Sequence, residues 1–339
     1  MITSIAFFIF VRPDYTRRVW EEIRKAKPPV LLIVADGPRD EQDRVKCDAT
    51  RAIVDQVDWP CDVRRNYSPV NMGCRERMAS GLNWVFEEVE EAIILEDDCL
   101  PDQSFFPFCQ TMLERYREDK RIMHIGGNNF LRGKIEVQAS YYFSKYAHIW
   151  GWATWRRAWN HYDVAMRTWP EYHDSGKLKT VCPDPDECLY WTDCFDRMHN
   201  GKVDTWDYAW LYTCWAQKGL SILPSVNLVT NIGVGIDATN TSAGAWYIGL
   251  PTTSIAGIMH PNIIAQDEKA DDITYRDLFR VKKKSRCRLA WLVVASPWTY
   301  GVLIRKIPIL GQWWAKWRLC ARDRKIKGGL SWNEKNENQ

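Results

Sequence analysis

The sequence predicts an α/β protein built on a mostly parallel sheet with helices on both faces. Two observations carry this. Short runs rich in β-branched and aromatic residues alternate with charged, helix-periodic stretches along the first 125 residues. One of those runs, Ala92-Ile93-Ile94-Leu95, stops abruptly at Glu96, Asp97 and Asp98. That is the pattern of an interior strand whose carboxyl end opens onto a ligand crevice.

The elements follow in order. Residues 4–11 read as the first strand, turned by Arg12-Pro13-Asp14. Residues 15–25 place Val19, Trp20 and Ile23 on one side of a helix that Pro28-Pro29 ends. Residues 30–35 form the second strand, closing on Asp36-Gly37-Pro38. A charged helix is expected over 41–57 and a short third strand over 61–66. Asn71-Met72-Gly73-Cys74-Arg75 opens a helix running to about residue 90. After the acid-tipped strand, residues 99–102 read as a turn and 104–118 as a helix. Further strands are expected at 122–125 (closing on Gly126-Gly127-Asn128-Asn129), 141–143, 221–224 and 227–229. Helices are expected at 186–200 and 208–218, the second ended by Gly219, and residues 231–257 look loop-like.

Three adjacent carboxylates repel one another, and a divalent cation removes that conflict. Hard oxygen ligands suit Mn²⁺ or Mg²⁺, which complete their shells with phosphates and water. The bland alternative is an acidic turn facing solvent.

At 339 residues the chain holds one large or two modest domains, and 46% hydrophobic residues suffice for a core. Eleven cysteines without a C-x-x-C pair read as reduced core residues of a cytosolic protein. Residues 2–11 are apolar, but no basic residue precedes them and no small-residue cleavage site follows, so they read as strand and not as a signal peptide.

Charge is uneven. Residues 276–327 carry fifteen Lys or Arg against two acids, +13, whereas the rest of the chain is −10. Within this tail, residues 289–304 are apolar or weakly polar but are broken by Pro297 and Gly301, too short to span a bilayer. Basic residues flank them, and Trp313, Trp314 and Trp317 follow beside Lys316 and Arg318. That composition suits an anionic membrane surface; a helical pair packed on the domain is the alternative. Nucleic acid is disfavoured, because the aromatics cluster in apolar runs instead of alternating with basic residues. The expected organisation is a catalytic domain over 1–275 (halves 1–130 and 131–275), a membrane-associating, helical tail over 276–330, and a disordered end over 331–339.

Four short motifs in order then resemble one family: residues 6–13 with Arg12-Pro13, Asp36-Gly37-Pro38, Asn71-Met72-Gly73, and Ile93 to Asp98 followed by Pro101-Asp102 and Phe105-Phe106. They are similar to nucleotide-diphospho-sugar transferases of the GT-A fold, the bacterial family 2-like glycosyltransferases and, more distantly, N-acetylglucosaminyltransferase I. The resemblance spans about residues 5–261. It implies a nucleotide site lined by Val11, Arg12, Asp36, Asn71 and Gly73, with Glu96 or Asp97 facing the ribose. It implies that Asp98 binds the metal bridging the donor phosphates, and that an acid at a helix start, Asp207, is the catalytic base of an inverting transfer; a first-turn acid favoured by the helix dipole is the alternative for Asp207. Trp206 departs from the Glu of many members. Trp150, Gly151, Trp152 and Trp206 are candidates for the acceptor or sugar pocket, through aromatic faces and close backbone approach, with packing in the core as the alternative for the aromatic stretch 150–155. His260 is the candidate for an additional metal or phosphate contact, with a structural role as its alternative. The acceptor implied is a cell-envelope or lipid-linked glycan at the cytoplasmic membrane face. Two rivals remain: a sugar nucleotidyltransferase, which normally has a Gly- and basic-rich loop where Arg12-Pro13-Asp14-Tyr15 stands, and a non-catalytic glycan- or membrane-binding module.

Overall fold

The structure is a computed structural model; it describes residues 3–233 and 246–279. β1 (Ile5–Ile9) is buried along its whole length. α1 (Pro13–Ala26) follows, its Pro in the first turn, where a missing N–H leaves nothing unpaired. β2 (Val30–Ala35) leads to α2 (Glu41–Val54), capped by Asp40, whose carboxylate accepts from the Asp43 amide at 2.8 Å. β3 (Asp62–Tyr67), α3 (Cys74–Glu88) and β4 (Glu91–Glu96) complete the alternating part.

Beyond it come β5 (Cys99–Pro101), α4 (Phe105–Arg115), β6 (Ile122–Gly126), β7 (Tyr141–Ser144) and β8 (Trp152–Trp155). The helices α5 (Arg156–Trp159), α6 (Trp169–Asp174), α7 (Leu178–Val181), α8 (Pro185–His199) and α9 (Asp207–Ala216) follow. β9 (Leu220–Pro224), β10 (Val229–Asn231) and α10 (Glu268–Leu278) end the described chain.

One eight-stranded sheet runs β3-β2-β1-β4-β8-β6-β9-β7. β3, β2, β1, β4, β6 and β9 point one way; β8 and β7 oppose them. The expected α/β class with a mostly parallel sheet is therefore what the chain forms. One face packs on α1, α2 and α4 through residues such as Trp20, Ile53 and Phe108, and the other on α3 and α9 through Leu82, Phe86 and Trp210. A further aromatic cluster, Trp169, Trp191, Phe195 and Trp215 among it, joins α6, α8, α9 and α10.

Three departures have physical causes. Residues 99–102, expected as a turn, contain β5, which pairs antiparallel with β10. Three residues carry no readable periodicity, and the partner lies some 130 positions on. The aromatic stretch supplies β8 at the sheet centre: Trp152 pairs with Ile94 and Gly126 and is fully buried. α10 lies beyond the elements expected and runs through the boundary placed at residue 275. Asp267 caps it by accepting from the Ala270 amide at 3.0 Å, and Ala270, Thr274 and Tyr275 are buried. The tail from residue 280 onward lies outside the described residues. Among those described, no helix is long and apolar enough to cross a membrane.

Candidate active site

The strands that point together end together. Phe10 and Arg12 after β1, Asp36 after β2, Glu96 to Asp98 at the end of β4 and Asn128 beyond β6 line one cleft of about 650 Å³. The amino end of α9 closes it, with Asp204, Trp206 and Asp207.

Asp36 is a clamp. Its Oδ1 accepts from the amides of Gly37 at 2.8 Å and Met72 at 2.9 Å, and Asn71 Nδ2 donates to its Oδ2 at 3.0 Å. The tip of β2 is thereby tied to the loop that starts α3. Burial raises the Asp36 pKa, and the backbone donors oppose this. Gly73 caps α3 at φ +78, a conformation that favours glycine.

The acidic turn is held by Arg12. Its Nη2 lies 2.6 Å from Asp97 Oδ1, and its Nη1 donates to Asp98 Oδ2 at 2.7 Å. Asp97 is 2% exposed and also accepts from the Phe10 amide at 3.3 Å. Burial pushes the pKa values of Glu96 and Asp97 up; Asp98 adds to the rise of Glu96, while Arg12 opposes both. Asp207 accepts a hydrogen bond from the Thr205 hydroxyl, and burial raises its pKa too. The Cys74 thiol is pushed up to about 12 by burial and by the charges of Glu96, Asp204 and Asp207, so those three acids share one surround.

No protein-family model matches the chain, and neither does any curated protein sequence. Solved structures with partial likeness include an apo UDP-glucose pyrophosphorylase, 12% identical, covering 66% of this chain and 90% of its own, TM-score 0.36. Mouse xyloside xylosyltransferase 1 is 11% identical, with 62% of this chain and 80% of that one covered, TM-score 0.30. The 4-diphosphocytidyl-2C-methyl-D-erythritol synthase of Anaerococcus prevotii is 9% identical over 46% and 72%, TM-score 0.29. Superpositions this loose decide neither fold nor activity.

Of the residues singled out in the sequence, Arg12, Asp36, Asn71, Gly73, Glu96, Asp97, Asp98, Trp150, Trp206 and Asp207 line the cleft. Four do not. Val11 is buried and is not part of the lining. Trp152 is a core residue, stacked on Trp206 at 5.5 Å. Gly151 is glycine for backbone reasons: its φ is +67, and a Cβ there would meet Val229 Cγ2 at 2.7 Å. His260 sits beside the edge strand β7, its Nδ1 sharing a 2.9 Å hydrogen bond with the Tyr141 hydroxyl. β7 is four strands from β4, too far for His260 to share a metal with Asp98.

The cleft also holds residues the sequence reading passed over: Asp204, Asn128, Phe130, His148 and Tyr247. Asn128 had a readable signal, a polar residue just past a strand whose carboxyl end faces the site. Asp204 accepts from the Arg75 amide at 3.2 Å, across 129 positions.

Among the described residues no three His, Cys, Asp or Glu side chains gather into a metal cage. The donor chemistry of Asp98 with Asp97 nevertheless fits a hard cation that takes one or two carboxylates and fills its shell with phosphate oxygens and water. Arg12 supplies the positive charge at that spot in the structure.

Proposed function

We propose that this chain is a metal-dependent glycosyltransferase of the GT-A fold, moving a sugar from a nucleotide-diphosphate sugar to a hydroxyl acceptor with inversion. The observation that supports this is the meeting, in one cleft, of the Asp36–Asn71 clamp, the acidic turn at the end of β4 and Asp207 at the start of α9. The clamp end would take the base or ribose. Asp98 would hold Mn²⁺ or Mg²⁺, which when bound neutralises charge on the leaving diphosphate. Asp207, its pKa raised by burial, would accept the proton of the acceptor hydroxyl. Trp150 and its aromatic neighbours would wall the sugar end.

The acceptor we propose is a cell-envelope or lipid-linked glycan, reached at the cytoplasmic face of a membrane through the basic tail. Sedimentation with anionic liposomes tests this. The full chain should pellet at low salt and a chain truncated after Phe279 should not; equal behaviour of the two overturns the membrane assignment.

The reading as a whole is tested by thermal shift with UDP-, GDP- and dTDP-sugars, with and without Mn²⁺. A ligand at about 100 times its dissociation constant stabilises by roughly 2.7 kcal/mol. Metal-dependent stabilisation by at least one nucleotide sugar is expected, followed by transfer to a hydroxyl acceptor with inverted anomeric configuration. No response to any nucleotide sugar overturns the reading. Release of pyrophosphate from a nucleoside triphosphate and a sugar phosphate points to a nucleotidyltransferase instead.

A further inference from the structure

We propose that Asn128 and His148 form a recognition wall for the hydroxyl groups of a sugar ring, the sugar of the donor, at the end of the cleft away from Asp36. The inference deepens the nucleotide-sugar reading and rests on it.

Both residues line the cleft, yet they are only 1% and 5% exposed. Each carries a desolvated polar atom without a partner, Asn128 Oδ1 and His148 Nε2. Buried polar atoms are rarely left so, and each one asks for a missing partner. The Asn128 amide cannot turn to relieve this, because its Nδ2 already donates to the Val229 carbonyl at 2.8 Å. His148 is equally fixed. Its ring packs edge-on to Phe130 at 4.7 Å, and its carbonyl accepts from His124 Nε2 at 2.9 Å.

The chemistry of the two atoms narrows the ligand. An amide oxygen only accepts, so it selects an O–H or N–H donor and repels a phosphate. A neutral imidazole nitrogen donates or accepts according to its tautomer. Next to them lies an aromatic cluster: Phe130 stands edge-on to Trp150 at 5.7 Å, and Trp150 lies 5.7 Å from Tyr247. Aromatic faces beside hydroxyl-directed polar atoms suit a sugar ring and do not suit an anion.

The position agrees. The order β2-β1-β4-β8-β6 separates the clamp after β2 from Asn128 after β6 by four strand spacings, about 19 Å. The acidic turn of β4 lies between. A base, ribose and diphosphate laid along the strand ends therefore bring the attached sugar to the β6 side.

The test compares each nucleotide sugar with its own nucleoside diphosphate by calorimetry, in the intact chain with Mn²⁺. His148→Phe keeps the ring and its packing and removes the nitrogens. It breaks no hydrogen bond of Nε2, so it should fold at least as well as the parent. Asn128→Ala is the second variant. Each should weaken nucleotide-sugar affinity roughly five- to tenfold, one lost hydrogen bond, and leave nucleoside diphosphate affinity unchanged. A deoxy-sugar donor lacking the contacted hydroxyl should bind parent and variant alike. Unchanged nucleotide-sugar affinity in His148→Phe overturns the wall while the nucleotide site stands. Parallel loss for sugar and bare diphosphate assigns the residues to packing and overturns it as well. Absence of any nucleotide binding by the parent overturns the functional reading itself.

Discussion

Arg12 and Asp98 lie 86 residues apart and are joined by a 2.7 Å hydrogen-bonded ion pair at the floor of the cleft. The same guanidinium holds Asp97, so one cation balances the two acids closest to it. Replacing Arg12 by Met leaves Asp97, which is 2% exposed, without its partner. Breaking a buried pair from one side costs on the order of 3 kcal/mol, to be read in denaturant unfolding. The same variant should bind Mn²⁺ more tightly than the parent in the absence of nucleotide, measured by electron paramagnetic resonance titration. Weaker Mn²⁺ binding would remove Asp97 and Asp98 from the metal assignment.

Asp98→Asn should keep the fold, because it lowers the repulsion among Glu96, Asp97 and Asp98. It should abolish the Mn²⁺-dependent part of the thermal shift given by a nucleotide sugar. A folded variant with an unchanged metal response would show that the ion, if bound, sits elsewhere.

Asp207→Asn keeps the shape of the side chain and its place at the start of α9 but cannot take a proton. Turnover should fall by about 10²- to 10⁴-fold while donor affinity changes little. Single-turnover kinetics alongside donor titration separates the two. Equal losses in both would make Asp207 a binding residue.

Much of this site was legible because sequence patterns carry local information well. The alternation up to β4 and the acids on its tip rest on neighbours within a few positions, whereas Asp36, Asn71 and Gly73 came from the motif resemblance and meet across about 35 positions. What was misread depends on partners distant in the chain. Gly151 looked like a glycine making room for ligand, yet the room it makes is for Val229. Trp152 carries the same aromatic signature as Trp150, and only the insertion of β8 between β4 and β6 decides that one is core and the other cleft. His260 could be placed only by its contact with Tyr141.

The Gly151 correction has its own test. Gly151→Ala forces a left-handed conformation on a residue with a Cβ and drives that Cβ into Val229. The cost should be on the order of 2–4 kcal/mol, with nucleotide-sugar affinity preserved in the folded fraction. Trp150→Ala should show the opposite split, weaker nucleotide-sugar binding with a smaller change in stability.

His124 and His148 give a pH signature. Burial lowers both pKa values to about 3, so both stay neutral in the folded protein while the unfolded chain takes up protons below about 6.5. Folded pKa values below unfolded ones mean stability is present above about 6.5 and is lost as pH falls toward 3. Each histidine should contribute a slope of about 1.4 kcal/mol per pH unit through the lower part of that window. His148→Phe should remove one such contribution, so the stability of the variant relative to the parent should rise as the pH is lowered. A difference independent of pH would mean that His148 takes up its proton equally in the folded and unfolded states.

The pairing of β5 with β10 also sets an order of events in synthesis. The backbone just after Glu96, Asp97 and Asp98 is held by a strand translated about 130 residues later. At roughly 5–20 residues per second, that is a wait of about 6 to 26 s. β8, which flanks β4 in the sheet, comes off the ribosome part-way through it. Until Val229–Asn231 emerges, the edge of β5, the strand that follows the acidic tip, stays unpaired. Loop closure on this scale comes late in folding. A growing polypeptide should therefore acquire its ability to bind nucleotide only after residue 231 has cleared the exit tunnel, however early the acids themselves appear.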